Sequence, residues 1–191
     1  MSRFVIILVT ALAMAASAAA QAGTWQIDAN HTAAQFSVKH LGVSTVRGAF
    51  TRVTGTVKYD SADPAKDSVD VTIDSNSVDT RVEMRDNDLR SPRFFDVQKY
   101  STITFHSKSV KVAGPGKLQI TGDLTIHGVT KEVVLDVDGP TEPIKDPMGK
   151  GQRMGASATT KVNRQDFGVS ALSGLVGDEI TITIDVEMTK T

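Results

Sequence analysis

A regular alternation of apolar and polar residues, with a period of two, constrains the fold of this chain more than any other feature. The clearest run covers residues 180–187, where isoleucine or valine stands at every second position and Thr, Asp or Glu stands between them. Similar runs cover residues 69–73, 118–126 and 133–137. Because successive side chains of a β-strand point to opposite faces, the pattern predicts strands with one buried face and one face in water. Antiparallel sheets are commonly built this way.

Short turns separate these runs. Residues 122–137 form two alternating stretches on either side of the dipeptide His127-Gly128, and turn-forming residues cluster at 60–64, 114–116 and 139–151. Many strands joined by short turns predict an all-β sandwich or a closed barrel. The Pro- and Gly-rich residues 138–151 predict a long hairpin connection at the rim.

One segment departs from the strand pattern. Thr80 stands where a helix N-cap is expected and Glu83 follows three residues later, which together form the capping-box pattern. Pro92 marks the end of the segment. We therefore predict a short helix near residues 81–90, with the aromatic pair Phe94-Phe95 after it.

The N-terminus has the pattern of a secretory signal peptide. Arg3 precedes an apolar run over residues 4–16, and small residues follow at 18–20. The apolar run is shorter than the roughly 20 residues that a membrane-spanning helix needs. We interpret residues 1–22 as a cleaved signal peptide and residues 23–191 as one β-barrel domain that is secreted to the periplasm.

Charge and composition exclude several classes of function. The net charge is −1 and acidic and basic residues are interspersed, so no basic surface for nucleic acid is predicted. The chain has no Cys, and no pair of its four histidines has the i, i+4 spacing of a helical zinc site, so no metal is predicted. GxSxG, phosphate-loop and dinucleotide patterns are missing from the sequence, so no catalytic residue is predicted.

The function of such a barrel depends on the side chains that line its interior. A barrel of about eight strands has an interior just wide enough for its own side chains or for one small ligand. The predicted inward faces are apolar and carry almost no titratable residue, which suits a long hydrocarbon chain, since burial contributes roughly 0.8 kcal/mol per CH₂. Periodicity leaves open whether the barrel is hollow or filled. The predicted wall residues are Phe36, Val38, Phe50, Ile103, Phe105, Leu118, Ile120, Leu124 and Ile126.

Four segments together resemble one protein family. Their sequences are WQIDANHTAAQFSVKHLG from Trp25, RDNDLRSPRFFDVQKY from Arg85, GDLTIHGVTK from Gly122 and NRQDFGV from Asn163. In order and spacing they resemble the YceI-like periplasmic proteins, and the similarity runs from Trp25 to about Glu187. The resemblance implies an eight-stranded, antiparallel, lipocalin-like barrel that is capped by helical segments. It also implies an amphipathic isoprenoid lipid, a polyisoprenoid or a quinone, bound along the barrel axis.

The chain departs from the family pattern at three positions. Asp88 stands where relatives often have His, Ser101 replaces a common Pro, and Ala156 stands where Phe is common. These changes leave the predicted fold intact and bear on the shape of the cavity.

The resemblance extends the predicted ligand site beyond the strands. Residues in the family segments join the apolar wall, although the two adjacent phenylalanines could equally attach the helix to the barrel. These additional wall residues are Leu89, Phe94, Phe95 and Phe167.

Polar side chains nearer the strand ends are predicted to hold the lipid head group at one mouth of the barrel. For the arginines, the alternative is that they anchor the helix, and for the histidines the alternative is a hydrogen bond at the rim. The predicted head-group residues are His31, His40, Arg85 and Arg90.

These observations favour a binding protein that is not an enzyme. It is predicted to carry or store a long-chain lipid in the periplasm as a monomer or homodimer, with the lipid as ligand and no other cofactor. One alternative is an accessory to a membrane redox system that presents a quinone to a transient inner-membrane partner; an exposed apolar surface near residues 138–151 would favour it. The other alternative, a lipid-modifying enzyme, needs a titratable pair inside the cavity.

We expect the exported protein to begin at Gln21 or Gly23, because small residues precede both positions as a signal peptidase requires. N-terminal sequencing of protein from the periplasm checks this expectation. Periplasmic protein that still begins at Met1 would contradict it.

Overall fold

The computed structural model describes residues 22–190, so the predicted signal peptide lies outside it except for its last residue. Twelve strands and one helix, α1 (Glu83–Arg90), make up the regular structure. Short 3-10 helices lie at Pro64–Lys66, Ser75–Ser77 and Arg164–Phe167. The strands are β1 (Gly23–Ile27), β2 (Ala33–His40), β3 (Ser44–Phe50), β4 (Val53–Tyr59), β5 (Ser68–Asp74), β6 (Val78–Asp79), β7 (Thr102–Gly114), β8 (Lys117–Ile126), β9 (Val129–Asp138), β10 (Ile144–Lys145), β11 (Gln152–Asn163) and β12 (Val176–Lys190).

Eight strands close into an antiparallel barrel, which confirms the predicted fold class and excludes the sandwich. Around the ring the order is β11, β9, β8, β7, β5, β4, β1 and β12, and β12 pairs back onto β11. This closing ladder has twelve residue pairs, from Gln152 opposite Lys190 to Asn163 opposite Glu179. Closure removes the free edges that an open sheet would expose.

Strand β12 is long enough to have two partners on its other edge. β1 pairs with it near Met188, and β2 pairs with it from Val176 to Asp185. β3 then pairs with β2, and the short β6 pairs with the end of β3. These three strands extend the wall beyond the ring, and α1 packs against β6.

The barrel has two different ends. The terminal end carries Gly23, Lys190, the β4–β5 turn at residues 60–67 and the β9–β11 connection at residues 139–151. The helix end carries the His127-Gly128 turn, residues 80–101 and residues 164–175; Tyr100 contacts His127 there, with ring centroids 4.5 Å apart. Among residues 22–190, no helix is long and apolar enough to cross a membrane.

The turn at His127-Gly128 confirms the predicted hairpin. Ile126 pairs directly with Val129, so the loop has two residues. Both loop residues have positive φ, 52° for His127 and 75° for Gly128. This is the type I′ geometry, whose twist matches that of the flanking strands.

Helix α1 begins two residues later than predicted, and the predicted capping box is wrong. Arg81 has a φ of 67°, which lies outside the right-handed helical region, so the helix starts at Glu83. Thr80 does not cap it: the Thr80 backbone N–H donates to Asp86 Oδ1 at 2.8 Å, and Arg85 Nε donates to the Thr80 hydroxyl at 2.7 Å. The two charged residues therefore fasten the helix to the end of β6.

Arg164 is a second buried fastening point, at the helix end. It is 6% exposed, and its guanidinium donates four hydrogen bonds, to the backbone carbonyls of Val169, Ala171, Val176 and Gly177. It also forms an ion pair with Asp178, with Nη2 and Oδ1 3.1 Å apart. The guanidinium thus ties the start of the connection from β11 to β12 to its end.

We expect Arg164→Met to lower the free energy of unfolding by roughly 3–5 kcal/mol, because buried carbonyls lose their donors. Urea unfolding followed by circular dichroism measures the change. As a control, Lys161→Ala removes an exposed pair with Glu179 and should cost less than about 1 kcal/mol. A loss below about 1 kcal/mol for Arg164→Met would show that the connection does not depend on the guanidinium.

Candidate functional site

A cavity of about 260 Å³ runs through the interior of the barrel. One water molecule needs only roughly 10–15 Å³, so the barrel is hollow rather than filled by its own side chains. The wall takes residues from the ring, from β2 and β3 and from the helical segment. It contains every residue predicted for it, namely Phe36, Val38, Phe50, Leu89, Phe94, Phe95, Ile103, Phe105, Leu118, Ile120, Leu124, Ile126 and Phe167.

Strand alternation places these side chains on the wall. On β5, every second residue faces the cavity, as the pattern of the sequence predicted: Val69, Val71 and Ile73. On β12, the same holds for Ile180, Ile182 and Ile184, while Asp185 faces outward and bonds to Ser157 at 2.7 Å. The inward faces of the described strands are therefore almost continuously apolar.

Small residues make room for the aromatic rings of the wall. A Cβ added at Gly48 would lie 2.5 Å from the Phe36 ring, and one added at Gly122 would lie 2.5 Å from the Phe105 ring. The two rings therefore lie against bare backbone and leave the centre of the barrel free. Ala156, which stands where the family commonly has Phe, also lines the cavity and leaves it wider at that level.

Phe94 and Phe95 both line the cavity and attach the helix to the barrel. Phe95 packs edge-on against Phe50 with ring centroids 5.4 Å apart, and Phe50 lies 5.8 Å from Phe36. The backbone N–H of Phe95 donates to the carbonyl of Leu89 at 2.9 Å. The two alternatives drawn from the sequence thus describe one arrangement, because the same rings that attach the helix also face the cavity.

None of the four predicted head-group residues lines the cavity. Arg85 bonds to Thr80, and Arg90 donates to the backbone carbonyls of Asn76 and Val78. His31 bonds to Asp28 at 2.9 Å on the outer surface. The geometry therefore gives no support to head-group binding by these side chains.

The two histidines of this predicted set also lie far apart. His31 precedes β2 and His40 ends it, so the length of the strand separates them, at roughly 3.3 Å per residue. Both belong to the same extended segment, so strand pairing does not bring them together.

The polar residues that do line the cavity were missed at the sequence level. Asp67 and Tyr59 lie at the terminal end, and Arg164 lies at the helix end. A signal was present for Asp67, since it continues the inward alternation of β5 by two residues. This alternation could not be recognised from the sequence, because residues 60–67 form a turn, where alternation is not expected. The remaining polar lining residues are Thr32, Gln35 and Thr160.

An ion-pair network occupies the outer face next to the terminal end. The Arg153 guanidinium donates to Asp28 at 3.0 Å and to Glu187, and it pairs with Asp146 at 3.1 Å. His31 joins through Asp28. The hydrogen bond from His31, the Asn30 backbone N–H and Arg153 together lower the pKa of Asp28 to about 2, and Asp28 in turn raises the pKa of His31.

Three groups of this network have the chemistry of metal ligands. Oxygen or nitrogen atoms of Asp28, His31 and Glu187 all lie within 4.8 Å of one another. Arg153 already donates to both carboxylates, so a cation is in place that balances their charge. The arrangement is that of a structural ion-pair network that joins β1, β11 and β12.

Comparison with known proteins identifies the family. A family model described as the YceI-like domain matches residues 25–188. This protein belongs to the YceI-like family. A UPF0312 protein of Vibrio cholerae is 40% identical to it over 158 residues, 81% of this chain and 82% of that one. Protein YceI of Salmonella arizonae is 40% identical over 170 residues, 88% of this chain and 87% of that one.

Solved structures share the YceI-like barrel. BcnA of Burkholderia cenocepacia superimposes with a TM-score of 0.74 at 25% identity, covering 84% of this chain and 98% of that one. A Campylobacter jejuni YceI protein gives 0.70 at 35% identity, covering 80% and 90%. A polyisoprenoid-binding domain from Saccharophagus degradans gives 0.65, covering 87% and 98%. Its 16% identity shows likeness of fold alone.

We expect Asp28→Asn to destabilise the protein near neutral pH and to have little effect near pH 2. A lowered pKa means that the folded state favours the ionised carboxylate. Its stabilisation is therefore complete above the unfolded pKa of 3.8 and is lost as the pH falls through the folded value of about 2. Urea unfolding of both proteins at pH 6, 4 and 2 measures the difference.

The control for this prediction is Asp123→Asn, which removes an exposed pair with Lys108. It should change the free energy of unfolding by less than about 1 kcal/mol at each pH. If Asp28→Asn costs the same at pH 2 as at pH 6, the carboxylate charge does not stabilise the network.

Proposed function

We propose that this YceI-like protein binds one amphipathic isoprenoid lipid, a polyisoprenoid or an isoprenoid quinone, with the tail inside the barrel. The protein then carries or stores that lipid in the periplasm. The periplasmic location rests on the predicted signal peptide. The hollow apolar interior is the observation that carries the proposal.

The energetics of the cavity favour a hydrocarbon chain. Its wall is built from the aliphatic and aromatic side chains of the main core, such as Ile103, Leu124 and Leu135. A polar ligand would lose its hydrogen bonds to water there without replacement, which costs several kcal/mol per group in round terms. A hydrocarbon tail instead contributes roughly 0.8 kcal/mol for each CH₂ that leaves water.

The neighbours support the ligand class. The Saccharophagus degradans domain with the same barrel is described as polyisoprenoid-binding. An isoprenoid tail is long, methyl-branched along its length and entirely apolar, which matches a cavity that extends from the terminal end to the helix end of the barrel. Both observations concern the tail of the ligand, and neither identifies its head group.

A binding role fits the interior better than an enzymatic one. General acid–base catalysis needs a base within hydrogen-bond reach of a second reacting group. Tyr59 and Asp67 lie at the same end of the cavity, but no hydrogen bond joins their side chains in the described part of the chain. Arg164 is held by four backbone carbonyls and by an ion pair with Asp178.

The connection at residues 139–151 gives little support to the redox-accessory alternative. Ile144 is 60% exposed and Met148 is 81% exposed, so apolar side chains do reach the surface there. Lys145, Asp146 and Lys150 interrupt them. A contact site for a partner is marked by a contiguous apolar patch, and this mixed surface is not one.

We expect affinity to rise with tail length until the cavity is full, because each added isoprene unit removes more apolar surface from water. Titration of isoprenoid alcohols of graded length, followed by native mass spectrometry, measures this. Salt should have little effect on affinity, since screening acts mainly on exposed charges. An affinity that ignores tail length but collapses in moderate salt would contradict the proposal.

A matched pair of variants tests where the tail lies. Ala158 faces the cavity, and its neighbour Thr159 on β11 faces outward and is exposed. Ala158→Trp fills part of the cavity and should weaken binding of the longest tails at least tenfold, while Thr159→Trp should leave it unchanged. Equal binding by both variants would place the lipid outside the barrel.

A further inference from the structure

Two polar side chains meet the cavity at its terminal end. Tyr59 ends β4 and Asp67 precedes β5, so both flank the turn at residues 60–67. Both are half-buried and both line the cavity. The Asp67 carboxylate accepts one hydrogen bond, from the Asp60 backbone N–H at 2.7 Å. Its second oxygen and the Tyr59 hydroxyl have no protein partner among residues 22–190.

A buried donor without an acceptor lies at the same end. Trp25 is 0% exposed and packs in a cluster with Met154, Met188 and Tyr59, three residues that line the cavity. Its indole N–H has no hydrogen-bond acceptor within the described residues. Buried donors in folded proteins are nearly always paired, so an unpaired one needs an explanation. Trp25 does not itself line the cavity, but it packs against Tyr59, which does.

The charges around these groups are predominantly acidic. Burial is the main cause that raises the pKa of Asp67 to about 6; the charges of Asp60 and Asp63 add to it, and the hydrogen bond from the Asp60 backbone N–H opposes it. Burial also raises the pKa of the Tyr59 hydroxyl, with contributions from Asp67, Glu142 and Asp60. Two lysines lie nearby: Lys66 is paired with Asp63 at 2.9 Å, and Lys190 lies 5.7 Å above the Trp25 ring.

At the opposite end, Arg164 is the charged residue that lines the cavity among residues 22–190. Its guanidinium donates four hydrogen bonds to backbone carbonyls and is ion-paired with Asp178, so its charge is already balanced. An anion at that end would have to displace buried backbone hydrogen bonds, which is unfavourable.

We propose that Tyr59 and Asp67 form the head-group site of the cavity, and that this site selects an uncharged oxygen head group over an anionic one. The ligand class is then an isoprenoid alcohol or an isoprenoid quinone rather than an isoprenoid phosphate or a fatty acid. The Tyr59 hydroxyl donates to the head-group oxygen, and Asp67 accepts from a hydroxyl. Carboxylates at the mouth repel a phosphate, which carries one to two negative charges. This inference rests on the proposed function, since it needs the tail inside the barrel.

The test compares lipids that share one tail. Geranylgeraniol, geranylgeranyl phosphate and a naphthoquinone with the same tail are titrated at pH 7.5 against the wild-type protein. We expect the alcohol and the quinone to bind at least tenfold more tightly than the phosphate. Trp25 is the single tryptophan of the chain and packs behind Tyr59, so quenching of its fluorescence by a nearby quinone reports a head group at the terminal end.

Variants connect the selectivity to the two side chains. Tyr59→Phe should weaken binding of the alcohol by about threefold to tenfold, the effect of one hydrogen bond. Asp67→Asn should reduce the preference for the alcohol over the phosphate at least threefold. The matched control is Asp70→Asn on β5, three residues after Asp67, because Asp70 is exposed and pairs with His106 on the outer face. It should leave the preference unchanged.

The outcomes separate this inference from the proposed function. If no lipid binds to the wild-type protein, isoprenoid binding itself is wrong, and the head-group site falls with it. If all three lipids bind with similar affinity, or if the phosphate binds best, isoprenoid binding stands and the selectivity is wrong. If the quinone binds without quenching Trp25, the head group lies elsewhere and the assignment to Tyr59 and Asp67 is overturned.

Discussion

The ladder between β11 and β12 is the interaction on which the rest of this structure depends. Its twelve residue pairs join the two ends of an eight-stranded ring and turn an open sheet into a barrel. Because β12 is longer than either partner on its other edge, it also holds β1 and β2 one after the other. The strands outside the ring, the helix and the buried Arg164 all attach to the frame that this ladder closes.

Closure alone does not make a binding site, since a barrel of this size can be filled by its own side chains. Here the interior stays open because bare backbone at Gly48 and Gly122 lets large rings lie against the wall, and because alanines stand at other inward positions. The wall atoms that face the cavity lack dispersion partners on one side. A hydrocarbon tail would supply those partners, so the packing of the wall itself favours the proposed apolar ligand.

The charged residues are distributed so that the cavity remains apolar. Arg153 and its three carboxylate partners lie on the outer face, where they join strands without entering the interior. Arg164 reaches the cavity, but its guanidinium is bonded to four backbone carbonyls and paired with Asp178. Tyr59 and Asp67 retain unused hydrogen-bonding groups at the terminal end, and the orphan N–H of Trp25 lies beside them. Polarity in the interior is therefore concentrated where a head group would reach the surface.

Sequence by itself determined the strands, the hairpin at His127-Gly128 and the side chains that form the wall, because these follow from local periodicity and turn chemistry. It placed the helix correctly within two residues and erred at Thr80, because Arg81 has a positive φ and Thr80 bonds to Arg85 and Asp86 instead of capping the helix. Only the tertiary structure decided that the barrel is hollow, because the free volume depends on how rings from distant strands pack. It also showed that the polar residues at one end of the cavity are Tyr59 and Asp67, and not the predicted histidines and arginines. Those four predicted side chains have partners outside the cavity or lie at a strand end. The inward position of Asp67 depends on how residues 60–67 fold over the end of the barrel. Neither feature can be read from the alternation of apolar and polar residues.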